Sequence, residues 1–185
     1  PAPESGLAEI IVTATKRASN LQNVPVAVTA ITSDALKAQR INEFGDLTRA
    51  AASLTLTEST ASPNNAIVLR GVGTYAFSIG VEPSVAVIVD DVPVVQQAQA
   101  FDNMSDVSRI EVLRGPASVL FGTGTVGGII NSIRKAPSRE ASFEALTGWG
   151  TRGEYRAGVG GTGAVGEIGA FRIDASATGG NGYVD

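Results

Sequence analysis

The residues with the plainest chemical potential are glycines. Gly122-Thr-Gly124-Thr-Val-Gly127 has the G-x-G-x-x-G spacing, in which backbone approaches a pyrophosphate held at a helix N-terminus. That chemistry needs a strand before the loop and a helix after it. Here residues 116–120 read as a helical turn, and Gly128-Ile-Ile favours a strand. Glu144 stands at about the distance of a ribose-binding acid, but beyond a change in composition near residue 140. No Gly-Lys-Ser/Thr follows, so the loop is not a Walker loop. The glycines are better explained as places where backbone passes close beneath other elements.

Charged residues offer a second chemistry. Arg70 in Ile67-Val-Leu-Arg-Gly71 and Arg114 in Glu111-Val-Leu-Arg-Gly-Pro116 each end an apolar run and precede a Gly. A solvated strand end is one reading. Burial in a tight corner is the other, and a buried guanidinium needs a carboxylate. The repeated Leu-Arg-Gly context favours pairing, with Glu111 as the candidate partner. Gly71, Gly115, Pro116, Gly127 and Gly128 supply the turns. Asp90 and Asp91 could together touch a cation, but turn chemistry accounts for them more simply. Glu9-Ile-Ile-Val-Thr-Ala14 is an extended-favouring hexamer followed by a polar stretch. It is either the first strand of a domain or a template for strand addition by a partner.

Composition removes several function classes. The chain has no His and no Cys, which excludes a Ser-His-Asp triad, thiolate metal sites and disulfides. An enzyme would need paired carboxylates or a Ser-Lys arrangement, and no spacing commits to either. With 14 basic and 18 acidic residues the net charge is -4, the wrong sign for a general nucleic-acid binder. No metal or cofactor is expected. No apolar run reaches the length of a transmembrane helix. The opening Pro-Ala-Pro-Glu-Ser-Gly reads as a mature N-terminus rather than a signal peptide.

The elements that must position these residues divide in two. All 8 Pro lie at or before Pro137, while 12 of the 22 Gly fall within the last 45 residues; the boundary is therefore the polar turn at residues 135–140. Before it, residues 25–31 read as a strand with Pro25 at its first position. Thr32 or Ser33 caps a short helix running through Gln39. A second helix is expected over 43–51, with Asn42 as cap and Phe44, Leu47 and Ala51 on one face. Strands follow at 66–70, 85–90, 109–113 and 128–133, separated by Gly- and Ser-rich loops at 58–65 and 71–83. The class is α+β, with a small mixed sheet and short helices.

After the boundary the pattern alternates strictly. Phe143, Ala145, Thr147 and Trp149 share one strand face, and Phe171, Ile173, Ala175 and Ala177 share another, opposite Arg172, Asp174, Ser176 and Thr178. Aromatics stand near the strand ends (Trp149, Tyr155, Tyr183). Periodicity alone favours an amphipathic strand of a soluble sheet over a transmembrane barrel strand. About three such strands cannot close a barrel, for which roughly eight is the practical minimum. As barrel strands they would belong to a truncated barrel, with open edges that pair with another copy, fray or aggregate.

Taken in order, these pieces resemble the TonB-dependent receptor family. They are Ile10-Ile-Val-Thr-Ala14, similar to a TonB box; Val24-Pro-Val-Ala-Val28; Leu69-Arg-Gly71; the Val-Asp strand at 85–91; residues 109–116; Leu120-Phe-Gly122; and Gly127-Gly-Ile-Ile-Asn131. The resemblance implies a box and flexible leash over 1–24, a plug domain over 25–137, and first barrel strands over 141–185. It turns the reading of the last strands toward a barrel. The family often carries Gly where this chain has Asp91, and a basic residue or Asn in the loop 121–126, where this chain has neither. No loop contacts carry over.

What the family implies is a barrel of about 22 strands in the outer membrane of a Gram-negative bacterium, filled by the plug. A scarce ligand, usually a ferric siderophore, binds at the extracellular face. TonB then pairs in the periplasm with the box, Ile10, Ile11, Val12, Thr13 and Ala14, and pulls. The leash 15–24 could reach about 33 Å if extended. Arg70, Glu111 and Arg114 resemble the family's electrostatic lock against barrel carboxylates. The rival reading is a self-contained soluble extracytoplasmic ligand-binding module, whose last 45 residues would have to hide the Phe171 face.

Overall fold

The computed structural model describes residues 10–13, 16–57, 66–74, 81–94, 104 and 106–180. Ala14, Thr15, the loop 58–65, part of the loop 71–83 and Tyr183 lie outside the described residues. The chain forms two compact units, divided between Arg134 and Lys135.

In chain order the first unit contains β1 (Ile11–Val12), β2 (Ser19–Asn20), β3 (Ala27–Thr32) and α1 (Ser33–Ala38). Next come α2 (Leu47–Ala50), β4 (Leu54–Thr57), β5 (Ala66–Leu69), β6 (Val72–Gly73), β7 (Val85–Val89) and β8 (Val92–Pro93). It ends with β9 (Val107–Arg114), α3 (Ser118–Phe121) and β10 (Gly128–Arg134). Thr32 caps α1 by accepting from the Ala35 N–H. The expected helix over 43–51 is shorter: Phe44–Asp46 is a 3-10 turn, and only Leu47–Ala50 is α-helical. Asn42 is not its cap. The Asp46 carboxylate instead reaches back to accept from the Asn42 and Glu43 N–H groups at 2.9 and 3.2 Å, which tightens the turn. The expected inward face survives, since Phe44, Leu47 and Ala51 are all buried.

The β-branched runs build the central sheet, ordered β3-β9-β10-β7-β8. It is mixed: β10 runs parallel to β7 and antiparallel to β9, and β3 is antiparallel to β9. A smaller sheet joins β4, β5 and β6. Two hairpins turn in two residues each, Arg70-Gly71 between β5 and β6 and Asp90-Asp91 between β7 and β8. All four residues have positive φ, as a type I′ turn requires. Aspartate tolerates this conformation, so Asp91 completes the hairpin without the family's Gly.

Alternation along the strands gives the central sheet two apolar faces. One packs Ile31, Val85, Val87, Ile110, Val112 and Ile130 against the α1–α2 side, with Leu36, Phe44 and Leu47. The other carries Ile88, Leu113 and Ile129, with Ala117. Fully burying a side chain of this size contributes about 1.5–3 kcal/mol.

The second unit is an antiparallel sheet of β11 (Ser142–Trp149), β12 (Tyr155–Val165) and β13 (Gly169–Gly179). Its register aligns Phe143 with Gly161 and Ile173, Ala145 with Val159 and Ala175, and Trp149 with Tyr155. One face is therefore apolar across all three strands, with Thr147 as its exception. The opposite face carries Glu144, Arg156, Thr162, Arg172, Asp174 and Thr178. On the polar side Glu144 pairs with Lys135 and Arg172. The apolar face is uncovered: Phe143, Trp149, Tyr155, Val159, Phe171 and Ile173 are all exposed. Among the described residues no helix is long and apolar enough to cross a membrane.

Candidate functional site

The site is built on the second face of the central sheet, by the strand β9. On β9, residues 109, 111 and 113 point to that face. Leu113 enters the apolar cluster there. Glu111 is fully buried, and a buried carboxylate must find donors. It finds them in Arg109 and Thr13. The Arg109 Nε donates to Glu111 Oε1 at 2.7 Å. The Thr13 backbone N–H donates to both Glu111 oxygens, at 2.8 and 3.0 Å. The Thr13 hydroxyl reaches Glu111 Oε1 at 3.3 Å, and Arg109 Nη2 reaches the Thr13 hydroxyl at 3.2 Å. Val12, beside Thr13, is fully buried.

The N-terminal segment is held at two further points. β1 pairs antiparallel with β2, Ile11 opposite Asn20 and Val12 opposite Ser19. The Leu21 N–H extends this ladder to the Ile10 carbonyl at 2.9 Å. Lys16 places its ammonium 4.7 Å from the Phe121 ring centroid and 3.3 Å from Asp91 Oδ1. The stretch expected as an extended leash thus folds back at Ser19–Asn20 and continues as a 3-10 turn, Leu21–Asn23.

The three residues read as a lock do not meet. Glu111 and Arg114 are three apart on one strand and so face opposite ways; Arg109, two residues away, shares the Glu111 face. That corrects the expected pairing of Glu111 with Arg114. Arg70 sits exposed in the β5–β6 turn, where no ion pair holds it among the described residues, so it does not join Glu111 either. Arg114 makes no ion pair among the described residues, and its Nε is buried without a hydrogen-bond partner. Arg109, Lys16 and the β2 strand escaped the sequence reading. Strand parity was the available signal for Arg109, since residues two apart on a strand share a face.

The corner after Arg114 carries the pairing of β9 and β10 past the strand ends. Gly115 N–H donates to the Gly127 carbonyl at 3.1 Å, and Ala117 N–H to the Thr125 carbonyl at 3.0 Å. Thr125 is buried, with its hydroxyl donating to the Gly122 carbonyl at 2.8 Å. At Gly128 a Cβ would stand 2.2 Å from the Leu113 carbonyl oxygen, so only glycine fits where the chain returns to the sheet. The G-x-G-x-x-G loop follows α3 and leads into β10, the reverse of the strand-then-helix order a dinucleotide site needs. Among the described residues no group of three acidic side chains could hold a metal.

A family model described as TonB-dependent Receptor Plug Domain matches residues 20–129. The chain belongs to the TonB-dependent receptor plug domain family. The plug is 28% identical to the ferripyoverdine receptor of Pseudomonas aeruginosa, over 88% of this chain and 19% of that protein. It is 31% identical to the hemin receptor of Yersinia pestis, over 65% of this chain and 17% of that protein. Among solved structures, the pyoverdine outer membrane receptor FpvA from Pseudomonas aeruginosa PAO1 superposes with a TM-score of 0.75 at 24% identity, covering 95% of this chain and 25% of that one. That likeness shows the fold, a plug with a mixed sheet followed by antiparallel strands. The chain spans about a fifth of the length of the curated relatives it matches. These relatives are receptors, not enzymes.

Proposed function

We propose that this chain is the plug and first barrel strands of an outer-membrane receptor that takes up a ferric siderophore and presents Ile10–Ala14 to TonB. The observation that carries the reading is the division of β11–β13 into one polar and one wholly uncovered apolar face. A soluble module would bury Phe143, Trp149 and Ile173; lipid is the solvent that suits them. Phe143 to Trp149 is six residues, about 20 Å of strand, close to the apolar band of about 25 Å that outer-membrane barrels present. Trp149 and Tyr155 stand at one end of that band, Phe143 and Phe171 at the other, as interfacial aromatics do.

Three strands leave open edges, which further strands of a barrel would pair. Arg114 is the lock residue in this reading: its buried, unpartnered Nε would be satisfied by a barrel carboxylate. Arg70, exposed in its turn, contributes at the surface of the same plug. A ferric siderophore is the preferred ligand because ferripyoverdine is named for a relative that aligns over 88% of the chain.

The test is capture by the periplasmic domain of TonB. Val12→Pro removes a backbone donor that strand addition uses. Capture of the wild-type chain with loss in Val12→Pro is expected; equal capture of both sinks the box assignment.

A further inference from the structure

Residues 135–140 are secured along their length to the sheet that follows them. Lys135 pairs with Glu144 of β11 at 2.5 Å. Ser138 is held through its backbone: its N–H donates to the Thr162 hydroxyl at 2.8 Å, and its carbonyl lies 3.0 Å from the same oxygen. Arg139 donates to the Gly166 and Glu167 carbonyls, in the turn between β12 and β13. Each of these contacts lies within the second unit. The last residue of the first unit is fastened within its own unit. Arg134 pairs with Val107 of β9, and its N–H donates to Asp90 Oδ1 at 2.9 Å. From this we infer that residues 135–140 are a footing and not a leash: they stay with the strands of the second unit, and the joint between plug and barrel wall is confined to the Arg134–Lys135 link. The plug then has no slack at its C-terminal end, so its displacement has to come from rearrangement within residues 1–134. The inference rests, for the identity of the second unit as barrel wall, on the reading above.

Thr162 is the centre of the footing. Among the described residues it is the only buried polar side chain of the second unit. The register sets it between Ser142 and Arg172 on the polar face of the sheet. Its hydroxyl accepts from the Ser138 N–H and donates to the Phe171 carbonyl at 2.7 Å, so both capacities of the group are used. Pro137 has no N–H to offer, which makes Ser138 the first backbone donor after it. The Ser138 hydroxyl accepts from the Glu140 N–H at 3.1 Å and turns the chain toward β11. The ionic contact is built into the sheet as well. Gly160 lies between Glu144 and Asp174 and leaves that row bare. Arg172, itself buried, reaches across it to Glu144 at 3.4 Å, and Glu144 also takes Lys135. Three separate attachments, at residues 135, 138 and 139, mean that opening one does not free the segment.

The test is amide hydrogen exchange, followed residue by residue by NMR in the full 185-residue chain in zwitterionic micelles. The Ser138 amide reports the footing. In the Arg109→Met chain, urea is raised until the amides of β9 and β10 exchange roughly a hundredfold faster. The footing requires that Ser138 then keep pace with the amides of β12 and β13. Exchange at Ser138 that rises with β9 and β10 overturns it. In the absence of urea, Thr162→Val removes the hydroxyl at nearly constant volume. It should speed exchange at Ser138 by roughly tenfold or more, with β12 and β13 unchanged, and Thr162→Ser should restore the slow rate. An unchanged Ser138 rate in Thr162→Val overturns the footing. If Thr162→Val loosens β12 and β13 as well, the Arg109→Met comparison decides alone. Flotation of the unaltered chain with phosphatidylcholine vesicles is read separately. A chain that passes the exchange test without floating keeps the footing and loses the barrel reading.

Discussion

Glu111 and Arg114 lie three residues apart on β9 and project from opposite faces of the central sheet. Each is a charged group in an apolar setting, but only Glu111 is matched within the described residues, by Arg109 and Thr13. The difference makes their removal unequal.

Arg109→Met should destabilise the first unit by about 3 kcal/mol, because it strips the cation from a fully buried carboxylate. The single Trp lies in the second unit, so urea unfolding followed by far-ultraviolet circular dichroism is the suitable measurement.

Arg114→Met should cost less than about 1 kcal/mol in the same assay, or stabilise the chain. It removes a buried donor that has no acceptor and keeps the apolar stem. A loss as large as that of Arg109→Met would mean Arg114 is already satisfied within this chain.

Two glycines of the corner should also differ. Gly128→Ala drives a Cβ to 2.2 Å from the Leu113 carbonyl oxygen and should cost at least about 2 kcal/mol, since backbone on both strands must shift. Gly115 has a φ of 111° but open space around a Cβ. Gly115→Ala should cost only the conformational strain, about 1–2 kcal/mol. Thermal midpoints of the two variants check the ranking.

Val159 stands within the band on the uncovered apolar face, opposite Ala145 and Ala175, and Thr178 stands on the polar face. Val159→Arg should weaken association with phosphatidylcholine vesicles by roughly 2–4 kcal/mol, and Thr178→Arg should leave it nearly unchanged. Vesicle flotation reads both. Equal effects would mean the two faces meet the same solvent.

Much of this arrangement is legible in the residues, for reasons that differ by element. β7, β9 and β10 are β-branched runs whose period and turn residues leave little choice. The two-faced sheet of β11–β13 follows from parity alone. Arg109–Glu111 could be read the same way; the repeated Leu-Arg-Gly draws attention to Arg114, which parity sends to the other face. Ser19–Asn20 carries no strand pattern. It becomes β2 because Ile10–Val12 needs a ladder partner while Thr13 is held on Glu111, and such tertiary contacts leave no local trace. The shortened α2 is similar, since one aspartate side chain, Asp46, replaces a turn of helix hydrogen bonds.

The position of β3 at the margin of the sheet sets a mechanical order. Among the described residues it pairs only with β9, antiparallel, and its first residue Ala27 lies opposite Arg114, with Val28 opposite Leu113. Tension applied to the chain ahead of Ala27 would load these pairs one after another, as a zipper opens, rather than all together in shear. The first rung to part is the one at Arg114, so the earliest effect of a pull from the N-terminal side is felt at the Arg-Gly-Pro corner, while β10 and β7 behind it remain clasped.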